Sequence, residues 1–438
     1  MSAGYTIGVR GCQHLGYQPT GMRVHRATGW NQRVVDGHVA HELTMRSMLD
    51  AGVNGIVDGG DLTHWNRPLP RDVEVANRVD DLRAAAGVWA VGNSGNHCAG
   101  GGSDLSAMGV MHRPALGIRA VFPDPNGAPD GAIGPHPGLY EVHTRADNPH
   151  LPDGLALHFV SHYGLSRDLA DAGITIDPTP LPGMVNLFFS HGTFATDERL
   201  YQCIDPHGEE RPIPGEWALR GWDAMILSHY HTLGAVPGYG TGERGQVWYT
   251  GSSLRRGFSD EPGMRGWLAV TVHDTGSVTV TPHAIWQRPQ HDLPTVDATG
   301  LTVTDLDDAI TTHLAAVEHR DDESAALTGH GGAIIRQRIT GATPVQRQGL
   351  AALHGRFASL TAETGWWGLS TVNNAATLNT HTTEQDRVVT ARVADFKGAL
   401  AERVDRLVGA LAVPAPLVPP VTEQATTWAG EVAASAET

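Results

Sequence analysis

Five short polar motifs, each placed directly after an apolar run, constrain this chain more than any other feature of its sequence. In chain order they are Cys12 to His14, Gly60 to His64, Gly95 to His97, His191 with Gly192, and His229 to His231. A single histidine after a strand is usually a satisfied polar residue, but five such motifs in sequence are difficult to assemble by chance. Imidazole, carboxylate and thiolate groups bind divalent metals. The pattern therefore predicts a metal site built from the ends of several strands.

The segments between the motifs indicate an α/β fold. Short apolar runs such as YTIGVRG and VNLFFSHG alternate with helical candidates such as VAHELTMRSMLDAG. This alternation predicts a layered α/β domain whose ligand site lies at strand ends. We place this domain at residues 1–290. A Pro- and Asp-containing link then leads to a small α/β domain at 291–380 and a helical C-terminal segment at 381–438.

Length and charge limit the classes of function. A chain of 438 residues is too long for one ordinary core, and three scattered cysteines do not make a disulfide framework. The formal net charge of −16 argues against a histone-like binder, although bound metal ions would supply local positive charge. No apolar run is long enough to span a bilayer, and the N-terminus lacks a secretory-signal pattern. We therefore predict a cytoplasmic protein with no membrane role.

The order of the motifs resembles the signature of the calcineurin-like metallophosphoesterases: DxH, GDxxx, GNH, H and GHxH. Within that superfamily, GDLTHWNRP from Gly60 to Pro68 is similar to the GDLFH…RP segment of SbcD-type nucleases. Tyr249 to Ser253 resembles their YPGS turn, and Ile334 to Gly341 resembles a strand of their capping domain. The likeness covers most of residues 5–270 by motif and is thinner to about 380. It implies a layered metallophosphoesterase β-sandwich flanked by helices, then a small α/β capping domain and a helical tail.

The resemblance also implies a set of metal ligands. One ion would be held by Cys12, His14, Asp61 and His231, and the other by Asp61, Asn96, His191 and His229. Two ions that share a carboxylate can grip one phosphate and activate a water for in-line attack. His97 would then stabilise charge or protonate the leaving oxygen, and His64 would help to orient a DNA strand.

Two cysteines depart from the family pattern. Cys12 stands where the pattern has aspartate, and Cys98 stands where an acid usually follows GNH. A thiolate favours Zn²⁺ or Fe²⁺, whereas carboxylates suit Mn²⁺ or Mg²⁺. We expect two divalent ions, with Mn²⁺ as the first choice and Zn²⁺ or Fe²⁺ left open by Cys12. In the alternative, Cys12 only packs beside a weakened first site. Asp58 is not expected to replace it, because alternation along a strand points Asp58 away from Asp61.

Other candidates carry competing interpretations. His158 and His162 lie at another strand end and compete with His191, which we prefer for its interval to His229. Six arginines near the motif loops are candidates for phosphate contact, or are simply solvated charge: Arg23, Arg26, Arg67, Arg71, Arg255 and Arg256. Of these, we select Arg67 and Arg255 as DNA-binding residues. Trp366 and Trp367 either stack on bases or complete the core of the small domain.

The leading hypothesis is a metal-dependent DNA exonuclease and endonuclease of repair or recombination. The resemblance implies an SbcC-type, SMC-like ATPase as partner and a homodimer as the assembly. The apolar spacing from Glu384 to Leu411 predicts a helix that either docks on that ATPase or packs as an ordinary helix. Two alternatives stay open. One is a phosphodiesterase or nucleotidase for small molecules, and the other is a degenerate phosphoesterase kept as a DNA-binding scaffold.

Overall fold

Two six-stranded β-sheets form the larger part of the chain. This computed structural model describes residues 4–19, 21–65, 67–97, 118–121, 134–166, 168–196, 199–200, 211–239, 245–258 and 263–372. The first sheet contains, in spatial order, β15 (Val278–Ala284), β14 (Gly266–Val272), β1 (Tyr5–Arg10), β2 (Gly55–Asp58), β3 (Trp89–Asn93) and β4 (Ile118–Val121). Strands β1 to β4 are mutually parallel, whereas β14 runs antiparallel to both β1 and β15.

The second sheet has the same size and a similar parallel centre. Its spatial order is β12 (Leu233–Ala235), β13 (Val247–Thr250), β11 (Ala224–Ser228), β7 (Val185–His191), β6 (Leu155–Val160) and β5 (Tyr140–His143). Strands β6, β7, β11 and β13 are parallel. A small sheet of β8 (Thr193–Thr196), β9 (Arg199–Leu200) and β10 (Pro212–Ile213) lies beside it in sequence. Short helical turns cover Tyr163–Leu165, Asp168–Asp171 (α3) and Gly215–Leu219.

The main core lies between the two large sheets. Every second side chain of a strand points to the same face, and these inward side chains form one buried apolar cluster. Val9 and Val57 come from the first sheet, and Phe159, Phe189 and Ile226 come from the second. Face-to-face packing of two sheets is the β-sandwich arrangement.

Helices cover the outer face of the first sheet. They are α1 (Gln32–Asp50) and α2 (Pro70–Ala85), which connect the parallel strands β1, β2 and β3. Met45 and Met48 of α1 and Val79 of α2 pack with Trp267 of β14 in a second apolar cluster. The predicted layered α/β sandwich flanked by helices is therefore confirmed.

A four-stranded sheet follows the sandwich in sequence. Strand β18 (Ile334–Thr340) is central and pairs in parallel with β16 (Gln290–Asp292), β17 (Val296–Asp297) and β19 (Trp366–Val372). The helices are α4 (Val303–Ala315), α5 (Asp322–Thr328), α6 (Pro344–Ala352) and α7 (His354–Leu360). This unit has a core of its own, which includes Leu306, Ile310, Ile335, Ile339 and Leu350. A small α/β unit after residue 290 is thus present, whereas the predicted domain boundaries near 290 and 380 stay predictions.

A buried ion cluster joins this small sheet to helix α1. Arg288 donates from Nε and Nη2 to the two carboxylate oxygens of Asp36, both at 2.7 Å. Arg33 donates to Asp36 Oδ2 at 2.8 Å, and also to the carbonyl of Arg255. Arg288 Nη1 reaches the carbonyls of His330 and Gly332 at 2.7 and 2.8 Å. The two guanidinium groups therefore hold the 255 loop and the small sheet against the same helix.

The predicted helical segment at 381–438 lies outside the described residues, as do Cys98 and Cys203. In the part of the chain that the structure describes, no helix is both long enough and apolar enough to cross a bilayer.

Candidate metal centre

The predicted ligands come together at one edge of the sandwich. Three motifs follow the carboxyl ends of the parallel strands β1, β2 and β3 of the first sheet, and two lie at the ends of β7 and β11 of the second. Because parallel strands end at the same edge of a sheet, each sheet presents its motifs side by side. The two edges meet across the sandwich, and this brings all five motifs into one cluster.

The first group consists of Cys12, His14 and His231, all buried. One donor atom from each lies within 4.8 Å of the other two. His14 Nε2 is 3.0 Å from His231 Nε2 and 3.9 Å from Asp61 Oδ2. The sequence predicted these three residues and Asp61 as the ligands of one ion, and the structure places the four together.

The second group surrounds the same carboxylate. His191 Nε2 lies 3.3 Å from Asp61 Oδ2 and 3.0 Å from Asn96 Oδ1. His229 Nδ1 lies 3.3 Å from Asn96 Oδ1. These are the four residues predicted for the other ion. Asp61 Oδ2 faces both groups, which is the position that a bridging carboxylate needs.

Cys12 lies at the junction of the two groups. Its side chain is fully buried, and its Sγ accepts a hydrogen bond from the backbone N–H of His229 at 3.3 Å. Its sulfur groups with His14 and His231, and also with Asp61 and His191. A thiolate at this point is within reach of both candidate ion positions, so this geometry favours the ligand interpretation of Cys12 over simple packing.

Backbone strain marks the same residues. Cys12, His14, Asp61 and His229 have φ values of 49°, 47°, 55° and 115°. They are the only residues other than glycine with a positive φ in the described part of the chain. Such conformations cost free energy and cluster at functional sites, where the surrounding structure enforces them. The fold therefore holds these four side chains in directions that an ordinary turn would not give.

Glycines allow the strand ends to approach one another. A Cβ added at Gly95 would lie 2.2 Å from Asp61 Oδ1, and one added at Gly60 would lie 2.7 Å from His191 Nδ1. Gly60 also has a φ of 107°, which side-chain-bearing residues rarely adopt. Gly95 is thus required by the close packing of Asp61, and Gly60 by its backbone conformation and the approach of His191.

Hydrogen bonds from outside the cluster orient the imidazoles. His191 Nδ1 donates to the carbonyl of Gly59 at 2.9 Å, so Nε2 is the ring nitrogen that faces Asp61 and Asn96. His97 Nδ1 donates to the carbonyl of His64 at 2.7 Å, and the backbone N–H of His97 donates to Asp61 Oδ1 at 2.8 Å. Such partners fix the tautomer and ring direction of metal-binding histidines.

Electrostatics favour a metal-binding protonation state for Asp61 and His14, whereas the charge of Asp61 raises the pKa of His191 despite its burial. Burial acts to raise the pKa of Asp61, but the charges of His191, His97 and His14 together hold that pKa well below its ordinary range. Burial, followed by the charges of Arg256 and His231, lowers the pKa of His14 well below its ordinary value. An ionised carboxylate and a neutral imidazole are the forms that bind cations.

The donor set fits divalent ions. His14 Nε2 faces His231 Nε2 at 3.0 Å, and both rings are buried. A cation between the facing nitrogens would satisfy them with lone pairs from both rings. The mixture of imidazole, carboxylate, amide and thiol groups suits a transition-metal ion or Zn²⁺.

His64 and His97 lie against this cluster. Their rings stack with centroids 5.0 Å apart, and the centroid of His97 is 4.7 Å from that of His14. Burial, with the charges of His97 and Arg256, lowers the pKa of His64 to about 4. The exposed ring of Trp65 packs edge-on against His64, with centroids 4.7 Å apart. Both predicted catalytic histidines therefore stand where the cluster opens to solvent.

The competing residues have other partners. Asp58 is buried and paired with Arg10 at 3.1 Å, so it does not substitute for the missing aspartate. His158 is held between the hydroxyl of Tyr140 and the amide oxygen of Asn186, both at 3.0 Å. His162 donates from Nδ1 to the carbonyl of His191 at 3.3 Å and thus supports the end of β7.

The structure distinguishes among the candidate arginines, and not in the way that the sequence predicted. Arg67 is exposed beyond His64. Arg255 is partly buried; the pKa of Asp292 on the small sheet is lowered first by the hydrogen bond and charge of Arg336, and the charges of Arg338 and Arg255 add to this effect. Its neighbour Arg256 is the arginine whose charge acts on His14 and His64. The sequence named Arg256 as one of six candidates, but it gave no signal to prefer it over Arg255.

The fold and the cluster define an α/β protein with a candidate dinuclear metal centre. No family model matches the chain, and no curated protein matches it. Among solved structures, it is similar to a dimetal phosphatase from Danio rerio, at 11% identity and a TM-score of 0.36. The match covers 64% of this chain and 99% of that one. A likeness at this level carries no argument about activity, so the functional proposal rests on the geometry of the site.

Proposed function

We propose that this chain is a metal-dependent phosphodiesterase that cuts DNA, of the SbcD type. One observation carries the proposal: the seven predicted ligands, drawn from five strand ends, meet in one cluster around Asp61. Chance would not collect residues so far apart in sequence with four of them in strained conformations. Paired ions of this kind serve phosphoryl chemistry, because they bind the phosphate and lower the pKa of a water molecule.

The chain's own residues supply positioning and proton transfer. Asp61 fixes the spacing of the two groups because it contacts both His14 and His191, and Asn96 orders the second group through His191 and His229. His97 keeps Nδ1 bound to the carbonyl of His64, so its imidazolium form would deliver a proton from Nε2 to a leaving oxygen and become the neutral ring. His64 lies beside it at the opening, where it would direct the strand toward the cluster.

DNA is favoured as substrate by the residues around the opening. Trp65 exposes about half of its surface next to His64, and Arg67 is exposed two residues further along. Arg256 adds positive charge close to His14. Arginine and aromatic side chains beside a phosphoryl-transfer site suit the phosphates and bases of nucleic acid. We extend the proposal to Arg67 and Arg255 as phosphate contacts.

We propose the partners from the resemblance of the motifs to SbcD-type nucleases. An SbcC-type, SMC-like ATPase would associate with the chain, which would itself act as a homodimer in the cytoplasm. The segment proposed to dock, Glu384 to Leu411, lies outside the described residues. Co-purification of the full chain with such an ATPase, compared with a chain in which Val393, Phe396 and Leu400 are changed to Ser, tests this part.

The activity is tested by incubating the full chain with linear duplex DNA, single-stranded DNA and a small phosphodiester, each with Mn²⁺, Zn²⁺ or a chelator. Chelation and His97→Ala should each abolish DNA cleavage. His150→Ala is the matched control, because His150 is exposed on the surface. Cleavage of the small ester alone would move the assignment to a small-molecule phosphodiesterase. DNA binding without any cleavage would support a scaffold.

A further inference from the structure

A groove of 630 Å³ lies in the small α/β unit, outside the metal centre. Helices α6 and α7, strand β19 and the segment near Gly21 form its walls. Its main side chains are Arg23, Arg347, His354, Phe357, Trp366 and Trp367. The volume is in the range of ligand-binding pockets.

The charge of the groove is opposite to that of the chain. Among the described residues, no acidic side chain lines it, although the whole chain has a formal net charge of −16. Arg23 donates to the carbonyl of Ala362 at 3.0 Å and contacts His330 Nε2 at 2.7 Å. Neither contact neutralises the guanidinium charge. An anion entering the groove would therefore meet positive charge.

The groove also presents flat aromatic surfaces. Trp366 and Trp367 are each partly exposed on β19, at the edge of the small sheet. The ring of Trp366 lies across Gly368, where an added Cβ would be 1.9 Å from the ring. The absence of a side chain at Gly368 thus lets the indole lie flat along the strand. A flat, partly exposed indole beside arginine is a stacking platform for a nucleobase.

A line of aromatic and cationic residues connects the groove with the metal centre. The Trp366 ring is 6.1 Å from that of Phe258, and the guanidinium of Arg336 lies 4.5 Å above the Phe258 ring. Phe258 follows Gly257, where an added Cβ would lie 3.6 Å from the Tyr17 hydroxyl. The Tyr17 ring packs edge-on against His64, with centroids 5.1 Å apart. A free nucleotide would contact only the groove. A nucleic-acid strand would also contact Phe258 and Arg336 on its way to the metal centre.

We propose that this groove holds a nucleotide of a single nucleic-acid strand whose scissile phosphate lies at the metal centre. That the ligand is a nucleic-acid strand, and not a free nucleotide, rests on the proposed function. The base stacks on Trp366, and Arg23 pairs with a phosphate beside it. Bases stack on aromatic rings with little sequence preference, so the groove would accept any sequence.

The test is fluorescence anisotropy of labelled (dT)10 with the full chain in excess chelator, where cleavage is excluded. Trp366→Leu should weaken binding about tenfold, and Trp366→Phe should keep most of the affinity because a ring remains. Arg23→Gln should weaken binding and reduce the slope of log affinity against log salt by about one. Arg46→Gln, an exposed arginine on α1, is the control and should bind as wild type.

Equal binding by the wild type and a folded Trp366→Leu variant would overturn the proposal. Displacement of (dT)10 by poly-glutamate as readily as by unlabelled (dT)10 would also overturn it, since the groove would then recognise acidic chains in general. Thymidine monophosphate that binds as tightly as (dT)10 would exclude the strand. The protein could also bind (dT)10 through Trp366 and yet cut no DNA with any metal. That result would support the nucleotide-binding groove and contradict the proposed function.

Discussion

Strained backbone at the scale of single residues is the clearest sign of a functional site in this protein. Cys12, His14, Asp61 and His229 adopt positive φ values that aspartate and histidine tolerate better than cysteine. The position of Cys12 would therefore accept the aspartate of the family pattern without backbone change. Conformation does not explain the cysteine at this position, and we propose that a preference for softer metal ions does.

We expect Cys12→Asp to change the metal preference of the protein. A carboxylate in place of the thiolate should weaken binding of Zn²⁺ by at least about tenfold and favour Mn²⁺, because thiolates prefer softer ions. Equilibrium dialysis against each metal, followed by elemental analysis, measures both affinities. Cys12→Ser is the comparison, since it removes the thiolate without supplying a carboxylate. Unchanged Zn²⁺ affinity in both variants would mean that Cys12 only packs.

At the scale of elements, the centre depends on how closely β2 and β11 approach. A Cβ added at Gly59 would lie 1.9 Å from Ser228 Oγ and 2.9 Å from Ser228 Cβ. The hydroxyl can rotate, but the Cβ is fixed to the backbone. Any side chain at Gly59 therefore pushes the two strand ends apart, and with them Asp61 and His229.

Gly59→Ala should destabilise the fold by about 1–3 kcal/mol through overpacking, and should also weaken metal binding. Urea unfolding and metal titration measure the two effects. The double variant Gly59→Ala with Ser228→Gly should recover part of both, because it returns the space to the other strand. Gly355→Ala is the control, since nothing lies within 4 Å of its added Cβ and it should leave metal binding unchanged. A metal affinity unaffected by Gly59→Ala would show that the strand spacing does not set the site.

The buried Asp36 joins the sandwich to the small sheet through Arg33 and Arg288. Asp36→Asn should cost about 3–5 kcal/mol, because it leaves two buried guanidinium groups without their anion. Thermal and urea unfolding measure this loss. The exposed pair of Arg320 and Asp322 offers a control, since Asp322→Asn should change stability by less than about 1 kcal/mol.

The same carboxylate predicts how stability depends on pH. Burial acts to raise the pKa of Asp36, but the hydrogen bonds and charges of Arg288 and Arg33 hold it below its ordinary value of 3.8. A lowered folded-state pKa contributes stability that is present above pH 3.8 and is lost as the pH falls through the lower folded value. Wild type should show this acid loss and Asp36→Asn should not. If the free energies of unfolding of the two proteins fall in parallel below about pH 4, this prediction is wrong.

At the scale of the whole molecule, the metal centre should contribute to stability. It closes the edge where both sheets of the sandwich end, so ions bound there would hold the sheets together. An ion that binds only the folded chain at about 100 times its Kd adds about 2.7 kcal/mol.

Removal of metal with a chelator should therefore lower the Tm, and Mn²⁺ or Zn²⁺ should restore it. In Asp61→Asn most of this metal dependence should be lost, because the carboxylate that faces both groups is gone. Asp153→Asn, at an exposed surface position, should respond to metal as wild type. Equal melting of the wild type with and without chelator would count against a resident metal.

Much of this arrangement follows from the sequence by itself. The alternation of apolar runs and helical segments gives the layered α/β fold, since each strand and helix must bury its apolar face. The seven candidate ligands were named from the resemblance of the five motifs to a known family, because a single polar residue after a strand is weak evidence for a ligand. Asp58 is not a ligand, as expected, but the reason is its pairing with Arg10 rather than strand alternation, since β2 ends at Asp58.

Only the tertiary structure decided which residues meet. The meeting of His14 with His231 and the position of Cys12 between the two groups depend on the packing of two sheets, which no local pattern encodes. The choice of Arg256 over Arg255 beside His14 depends on the path of one loop held by Arg33. The groove at Trp366 forms between segments more than 300 residues apart in sequence. Contacts over such distances are set by the whole fold. They are therefore determined by the sequence but cannot be read from any local pattern in it.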